Sequence, residues 1–273
     1  MALKPQLNKV IMLALILIFS FSGNIRADSD KHAARKEKSH TDRIANRPLN
    51  QKATADALMA EKGLENFKKA LEIYQELAAK DSNSFEIHWK CAKACREYGY
   101  QAQKSGLDNW QVICAEYGKK GMHYAEAAIR LAPEQPHGHL FYGVNVGIYS
   151  DAVSVFTALR EGLKDKTLNS LQKAYEIDKT LERGGPILGL GRFWHMVPWP
   201  YKDKDKALAY YREYQQSPFF GKRIEGHIFL AELLMEKWGH EHKKEARKLL
   251  EAALAQTDEP YWQRRAKDLL NEI

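Results

Sequence analysis

The sequence predicts an all-α protein made of stacked helical hairpins, and three observations carry that prediction. Beyond residue 52 there is no sustained period-two alternation, whereas apolar residues recur at helical spacing between turn signals. Two kinds of helical segment alternate along the chain. The equivalent small residues Ala92, Gly143, Gly191 and Ala231 follow one another at spacings of 51, 48 and 40.

In chain order, Lys4 and Lys9 precede an apolar run from Val10 to Phe21, followed by small residues and a candidate cut after Ala27. Residues 1–27 therefore read as a signal peptide, too short for a spanning helix. This predicts a periplasmic or secreted protein; an uncleaved anchor is the alternative. Residues 28–52 are polar, have few large apolar side chains and predict a flexible linker. Residues 53–273 carry the helical domain. Its breaks fall at Asp81 to Ser84, Pro133 to Pro136, Gly184 to Pro186, Ser217-Pro218 and Thr257 to Pro260. Together with wider loops at Gly99 to Asp108, Ser150 to Asp165 and Val197 to Lys204, they delimit about ten helices. The last segment, from Pro260, has one apolar and one charged face, as a solvated capping helix should.

One kind of helix carries anchors spaced four then three. These are Gly63, Phe67, Ala70; Gly121, Ala125, Ala128; Thr167, Leu171, Ala174; Ala207, Tyr211, Tyr214; and Ala246, Leu250, Ala253. That spacing lines up a narrow, a bulky and usually another small residue on one face. The other kind opens with His or Ile and places Ala or Gly four later, as in "HWKCA" from His88 and "HLFYG" from His139. A small residue there admits a neighbouring helix.

Five such pairs in series resemble a degenerate array of tetratricopeptide (TPR) repeats, whose period is about 34 residues. The resemblance implies a TPR-like solenoid, a right-handed superhelix with a concave face. Within it, "HGHLFYGVNVGIYSDAV", "GGPILGLGRFWHMVPWP" and "DKDKALAYYREYQQ" resemble the TPR-type T component of TRAP (tripartite ATP-independent periplasmic) transporters over residues 137–216. Gly185, Pro186, Leu190, Gly191, Arg192, Pro198, Trp199, Pro200, Lys206, Ala207 and Leu208 occupy the matching positions. This implies an accessory to solute uptake that contacts the substrate-binding component and itself holds a hydrophobic ligand. Transporter members are typically lipoproteins, and this leader lacks a cysteine, the first being Cys91. A looser resemblance, through the leucine-glycine-arginine-aromatic helix at Leu190 to Phe193, is to the regulator-of-microtubule-dynamics proteins.

The net charge of +7 is concentrated toward the N-terminus, since residues 1–27 carry Lys4, Lys9 and Arg26 and no acidic residue. A nucleic-acid partner loses its support. Cys91, Cys95 and Cys114 make no metal or redox motif; a Cys95 to Cys114 bridge and three buried thiols are both compatible with the spacing. The histidines of "HGH" and "GHEH" lack the spacing of a zinc hydrolase, and no nucleophile elbow or phosphate loop occurs. The sequence thus predicts a non-enzymatic protein with no cofactor and no metal.

In a TPR solenoid the first helix of each pair lines the concave face, through residues one turn either side of the small slot. This selects Trp89, Lys93, Arg96, Leu140, Val144, Leu188, Arg192, His195 and Glu232 as the candidate site. Gly147 falls on the same face, and Trp199 is expected to wedge its turn against the next helix. Apolar walls with cationic groups suit an amphipathic anion or a partner's acidic helix, because guanidinium pairs carboxylates bidentately. The expected partner is another protein, such as a periplasmic solute-binding protein, or a small hydrophobic or carboxylate ligand; a homo-oligomer is a further expectation. The alternative function is a scaffold for envelope assembly that grips a partner's helix or peptide.

Overall fold

The computed structural model describes residues 48–273, so the expected leader and most of the expected linker lie outside the described residues. Twelve helices follow in order: α1 (Pro48–Glu61), α2 (Leu64–Lys80), α3 (Phe85–Lys104), α4 (Trp110–Leu131), α5 (Pro136–Val153), α6 (Val155–Arg160), α7 (Leu163–Asp178), α8 (Leu181–Met196), α9 (Lys204–Gln215), α10 (Glu225–Met235), α11 (His240–Gln256) and α12 (Pro260–Asn271). Helices α3/α4, α5/α7, α8/α9 and α10/α11 form antiparallel hairpins in series, α1 runs antiparallel to α2 through Tyr74 to Asp56 and Lys80 to Gln51 as a looser fifth pair, and α12 packs on α11 at the end. This is a TPR solenoid.

The two-helix grammar has a direct packing meaning. A Cβ added to Gly143 of α5 would lie 2.5 Å from Leu171 of α7, and one added to Gly191 of α8 would lie 2.5 Å from the Tyr211 ring of α9. The bulky anchor of the second helix is a knob, and the small residue of the first is the hole that receives it. Burial of the anchors confirms the pairing: Leu171, Ala174, Ala207, Tyr211, Tyr214, Ala246, Leu250 and Ala253 are all core. Each buried Leu contributes about 2 kcal/mol by removing its surface from water. Gly63 is the exception. It caps α2 with φ 95°, a conformation that glycine adopts without a Cβ penalty.

The expected series of about ten helices appears as twelve among the described residues, the additions being short or terminal. Part of the expected Ser150 to Asp165 loop coils into α6, with the Ser154 hydroxyl accepting from the Thr157 amide. The expected loop from Gly99 is also shorter, because α3 continues to Lys104. Gly99 is buried there, and its carbonyl accepts from Cys114 Sγ at 3.1 Å. Helix α1 begins at Pro48, five residues before the expected start of the domain.

The three thiols are free and buried, and burial pushes both Cys91 and Cys114 up to about 12. His88 and His139 close local turns, pairing with the carbonyls of Ser84 and Pro133 at 2.8 Å each. His227 stacks on Phe220 at 4.1 Å.

Trp199 is a correction as well. It stands in solvent on the α8–α9 loop, while its neighbour Trp194 packs on the core with Lys206 Nζ 4.3 Å from its ring. The wedge is formed by the residue that still belongs to the helix face; Trp199 lies beyond the end of that helix.

Candidate functional site

The first helices of successive hairpins, α3, α5, α8 and α10, turn one face each toward a shared concavity of about 740 Å³. Leu140 and Val144 of α5, Leu188 of α8 and Phe229 of α10 supply apolar wall, and Lys93, Arg96 and Arg192 supply charge. The far end of the chain closes the concavity. Lys104 Nζ of α3 pairs with Glu259 at 2.6 Å, and Tyr100 meets the Trp262 ring of α12 at 6.4 Å. Residues more than 150 positions apart thus face each other because the hairpins curl.

Among the cations, most are engaged. Lys93 Nζ pairs with Glu182 Oε1 at 2.5 Å, bridging α3 to the start of α8. The Arg96 guanidinium lies 3.8 Å from the centroid of the Tyr100 ring and reaches Glu97 at 3.3 Å. Arg192 donates to Glu232 at 2.6 Å and sits 4.4 Å over Phe229. Glu232 also accepts from Arg265 of α12 at 2.6 Å. Burial opposes the charge of Glu232, but the two guanidiniums hold its carboxyl below the usual range. Burial likewise works against Arg192, and Glu232 beside it keeps the guanidinium above its ordinary value. Arg223 donates to the Glu182 carbonyl at 3.0 Å and faces Glu225 at 3.6 Å. Asp151 reaches the solvent of the concavity while surrounded by protein, and that desolvation raises its carboxyl.

The wall contains a strained stretch. Glu182 (φ 50°, ψ 42°), Arg183 (φ 58°, ψ 49°) and Gly184 (φ 78°, ψ 27°) are three consecutive left-handed residues before the regular part of α8. For a residue with a Cβ this conformation costs about 1–2 kcal/mol. Surrounding structure holds it: Glu182 by Lys93 and Arg223, and Gly184 by Tyr214, whose ring leaves only 2.8 Å for a Cβ. The result points Arg183 at the concavity, exposed and without a hydrogen bond or ion pair among the described residues.

Six of the nine sequence-selected residues meet at this site: Lys93, Arg96, Leu140, Val144, Leu188 and Arg192. The other three do not line it. Trp89 stacks between His137 (4.5 Å) and Phe141 (6.0 Å). His195 and Glu232 lie on another side, around a smaller recess between α8, α10 and α12, where His195 Nε2 meets Glu236 at 3.0 Å. Burial depresses the His195 ring below its ordinary value. The residues that sequence reasoning missed, Tyr100, Asp151, Arg183, Arg223 and Tyr261, lie toward the end of α3, at the end of α5, on the left-handed start of α8, in the α9–α10 loop and in the cap. Three consecutive non-helical residues before Pro186 had one visible signal, the Gly184-Gly185 pair.

Comparison with known proteins adds the family. The family model for regulator of microtubule dynamics protein 1-3 matches residues 52–189, just over half of the chain. The chain belongs to this family. That is the looser of the two finer resemblances read from the sequence, and nothing in the comparisons supports the transporter component specifically. No curated protein matches the chain. Among solved structures, TTC0263, a thermophilic TPR protein of Thermus thermophilus, is similar in fold. Its TM-score is 0.57 at 16% identity, over 82% of this chain and 100% of that one. The MamA protein follows with TM-score 0.45 and 14% identity, over 81% of this chain and 94% of that one.

Proposed function

We propose that this protein is a non-enzymatic binding module whose concave face holds an acidic, amphipathic segment of a partner protein. The observation that carries the reading is Arg183, held free of any protein carboxylate by a strained backbone at the wall of an apolar and cationic concavity. Strain of this kind concentrates where a side chain must be presented. A carboxylate docking there gains a bidentate partner without breaking an existing pair. Leu140, Val144, Leu188 and Phe229 beside it offer apolar contact to the same segment.

The test is a labelled helical peptide of Glu and Leu, compared with its Lys-for-Glu counterpart. Arg183→Gly keeps the left-handed backbone and removes the guanidinium. A charge-assisted hydrogen bond contributes about 1.5–3 kcal/mol, so affinity for the acidic peptide should fall roughly tenfold or more. Equal binding of the two peptides by the unmodified protein would sink the reading.

The family name gives one natural partner to try, and co-sedimentation with microtubules is the direct trial. The narrower role of a periplasmic accessory to TRAP-type uptake rests on the resemblance over residues 137–216 and on the leader-like residues 1–27. It requires binding of a solute-binding protein or of a small carboxylate, which native mass spectrometry of the purified chain would detect.

A further inference from the structure

Glycine is the poorest helix former after proline, so a glycine inside a helix needs a reason in what packs against it. Among the described helices every glycine but one has such a reason, because a Cβ added to it would come within 3.1 Å of a neighbouring atom. Gly147 of α5 is the exception. Nothing in the chain lies within 4 Å of the place its Cβ would take, and the residue is exposed. Its missing side chain makes room for no part of the protein itself.

The bare position faces the concavity. Leu140, Val144, Gly147 and Asp151 follow at spacings of four, three and four, so they share one face of α5, and all four line the concavity. Leu140 marks the end near Arg183: a Cβ added to Gly185, two residues after Arg183, would lie 3.1 Å from the Leu140 side chain. Gly147 is seven residues further along, about 10 Å up the helix axis. Asp151 stands one turn beyond it, accepting from Gln103 and held in no ion pair among the described residues.

We propose that the bound segment comes closest to this protein at Gly147, where it lies against the bare turn of α5 between Val144 and Asp151. This rests on the reading of the concavity as a site for an acidic, amphipathic segment, and it gives that segment a direction. Its acid meets Arg183 beside Leu140, and the part about 10 Å further along packs on Gly147. A second acid at the far end would be repelled by Asp151, whose spare acceptor sites suit main-chain N–H groups instead. Glycine lets another backbone approach closely, and any Cβ at this position would hold the segment off.

Gly147→Ala and Gly147→Gln in the full chain test this, with affinity for the labelled acidic Glu and Leu peptide read by fluorescence anisotropy and stability by scanning calorimetry. Both side chains favour a helix more than glycine does, so neither variant should melt below the unmodified protein. Affinity should nevertheless fall, roughly fivefold or more for Ala and further for Gln, because the added atoms stand in the contact. Weaker binding by a fold that is no less stable cannot come from damage to the fold. The inference is overturned if Gly147→Gln binds the acidic peptide as tightly as the unmodified protein while Arg183→Gly still weakens it; the reading of the concavity then stands and only the path of the segment is wrong. If the unmodified protein binds the acidic peptide no better than its Lys-for-Glu counterpart, that reading and this inference fall together.

Discussion

Two glycines in helix interiors should respond to the same substitution with opposite sign. Gly121 of α4 packs on the side chain of Asn145 of α5: an added Cβ would lie 2.6 Å from Nδ2 and nearer still to Cγ and Oδ1. Asn145 is fully buried and cannot swing away freely, because Nδ2 donates to the Ala92 carbonyl of α3 at 3.0 Å and to the Phe141 carbonyl at 2.7 Å. Making room for the methyl group breaks both bonds, about 1 kcal/mol each, and leaves a buried amide unpaired for about 1–3 kcal/mol more. Better helix propensity returns about 1 kcal/mol. Gly121→Ala should therefore destabilise by about 2–4 kcal/mol. At Gly147 of α5 nothing lies within 4 Å of the added Cβ, so Gly147→Ala should keep the propensity gain of about 1 kcal/mol. For a chain of this size the melting temperature should fall by roughly 4–16 °C in the first variant and rise by roughly 2–4 °C in the second. Scanning calorimetry reads both. The double variant Gly121→Ala/Asn145→Ala, which removes the obstacle, should be less destabilised than the sum of its parts. Equal shifts of the same sign for the two single variants would refute the claim that α3, α4 and α5 are pinned through Asn145.

Glu232→Gln leaves Arg192 and Arg265 facing a neutral amide; because both guanidiniums are partly solvated, the loss in a urea titration should be about 2 kcal/mol. Acid should destabilise the protein in two stages. The folded His195 binds its proton less readily than the unfolded side chain, so stability begins to fall below the ordinary histidine value of about 6.5. Burial disfavours the Glu236 carboxylate, but Lys202, His195 and Lys204 outweigh that and bring it to about 2. Its contribution is complete above the ordinary value of about 4.3 and is lost toward pH 2, so Glu236→Gln should flatten the second stage of a pH series of urea midpoints. Finally, Cys91, Cys95 and Cys114 should resist a thiol reagent in buffer and react fully in denaturant; fast labelling of the native protein would contradict their burial.

Local grammar was legible because it is set by short-range geometry. The four-then-three anchors and the slot at Gly143 and Gly191 follow from helical spacing, and the structure puts Leu171 and Tyr211 into those slots. The same periodicity placed Lys93, Leu140, Leu188 and Arg192 on the concave face. It failed where a side chain is long enough to choose its partner: Glu232 of α10 pairs with Arg192 of α8 and Arg265 of α12, and Trp89 turns into the stack with His137 and Phe141. It also failed for Trp199, since a turn carries no periodicity to say whether an aromatic packs or stands in water.

The sequence by itself determined the all-α hairpin series, the alternation of its two helix types and most of the concave wall, because burying a helix face depends on residues three and four apart. Only the tertiary structure decided that Lys104 and Tyr100 meet Glu259 and Trp262, that Arg183 stands free on left-handed backbone, and that Trp199 stands in solvent. Those features depend on how far each hairpin rotates on the last. That rotation is summed over five pairs, and no local pattern of residues states the sum.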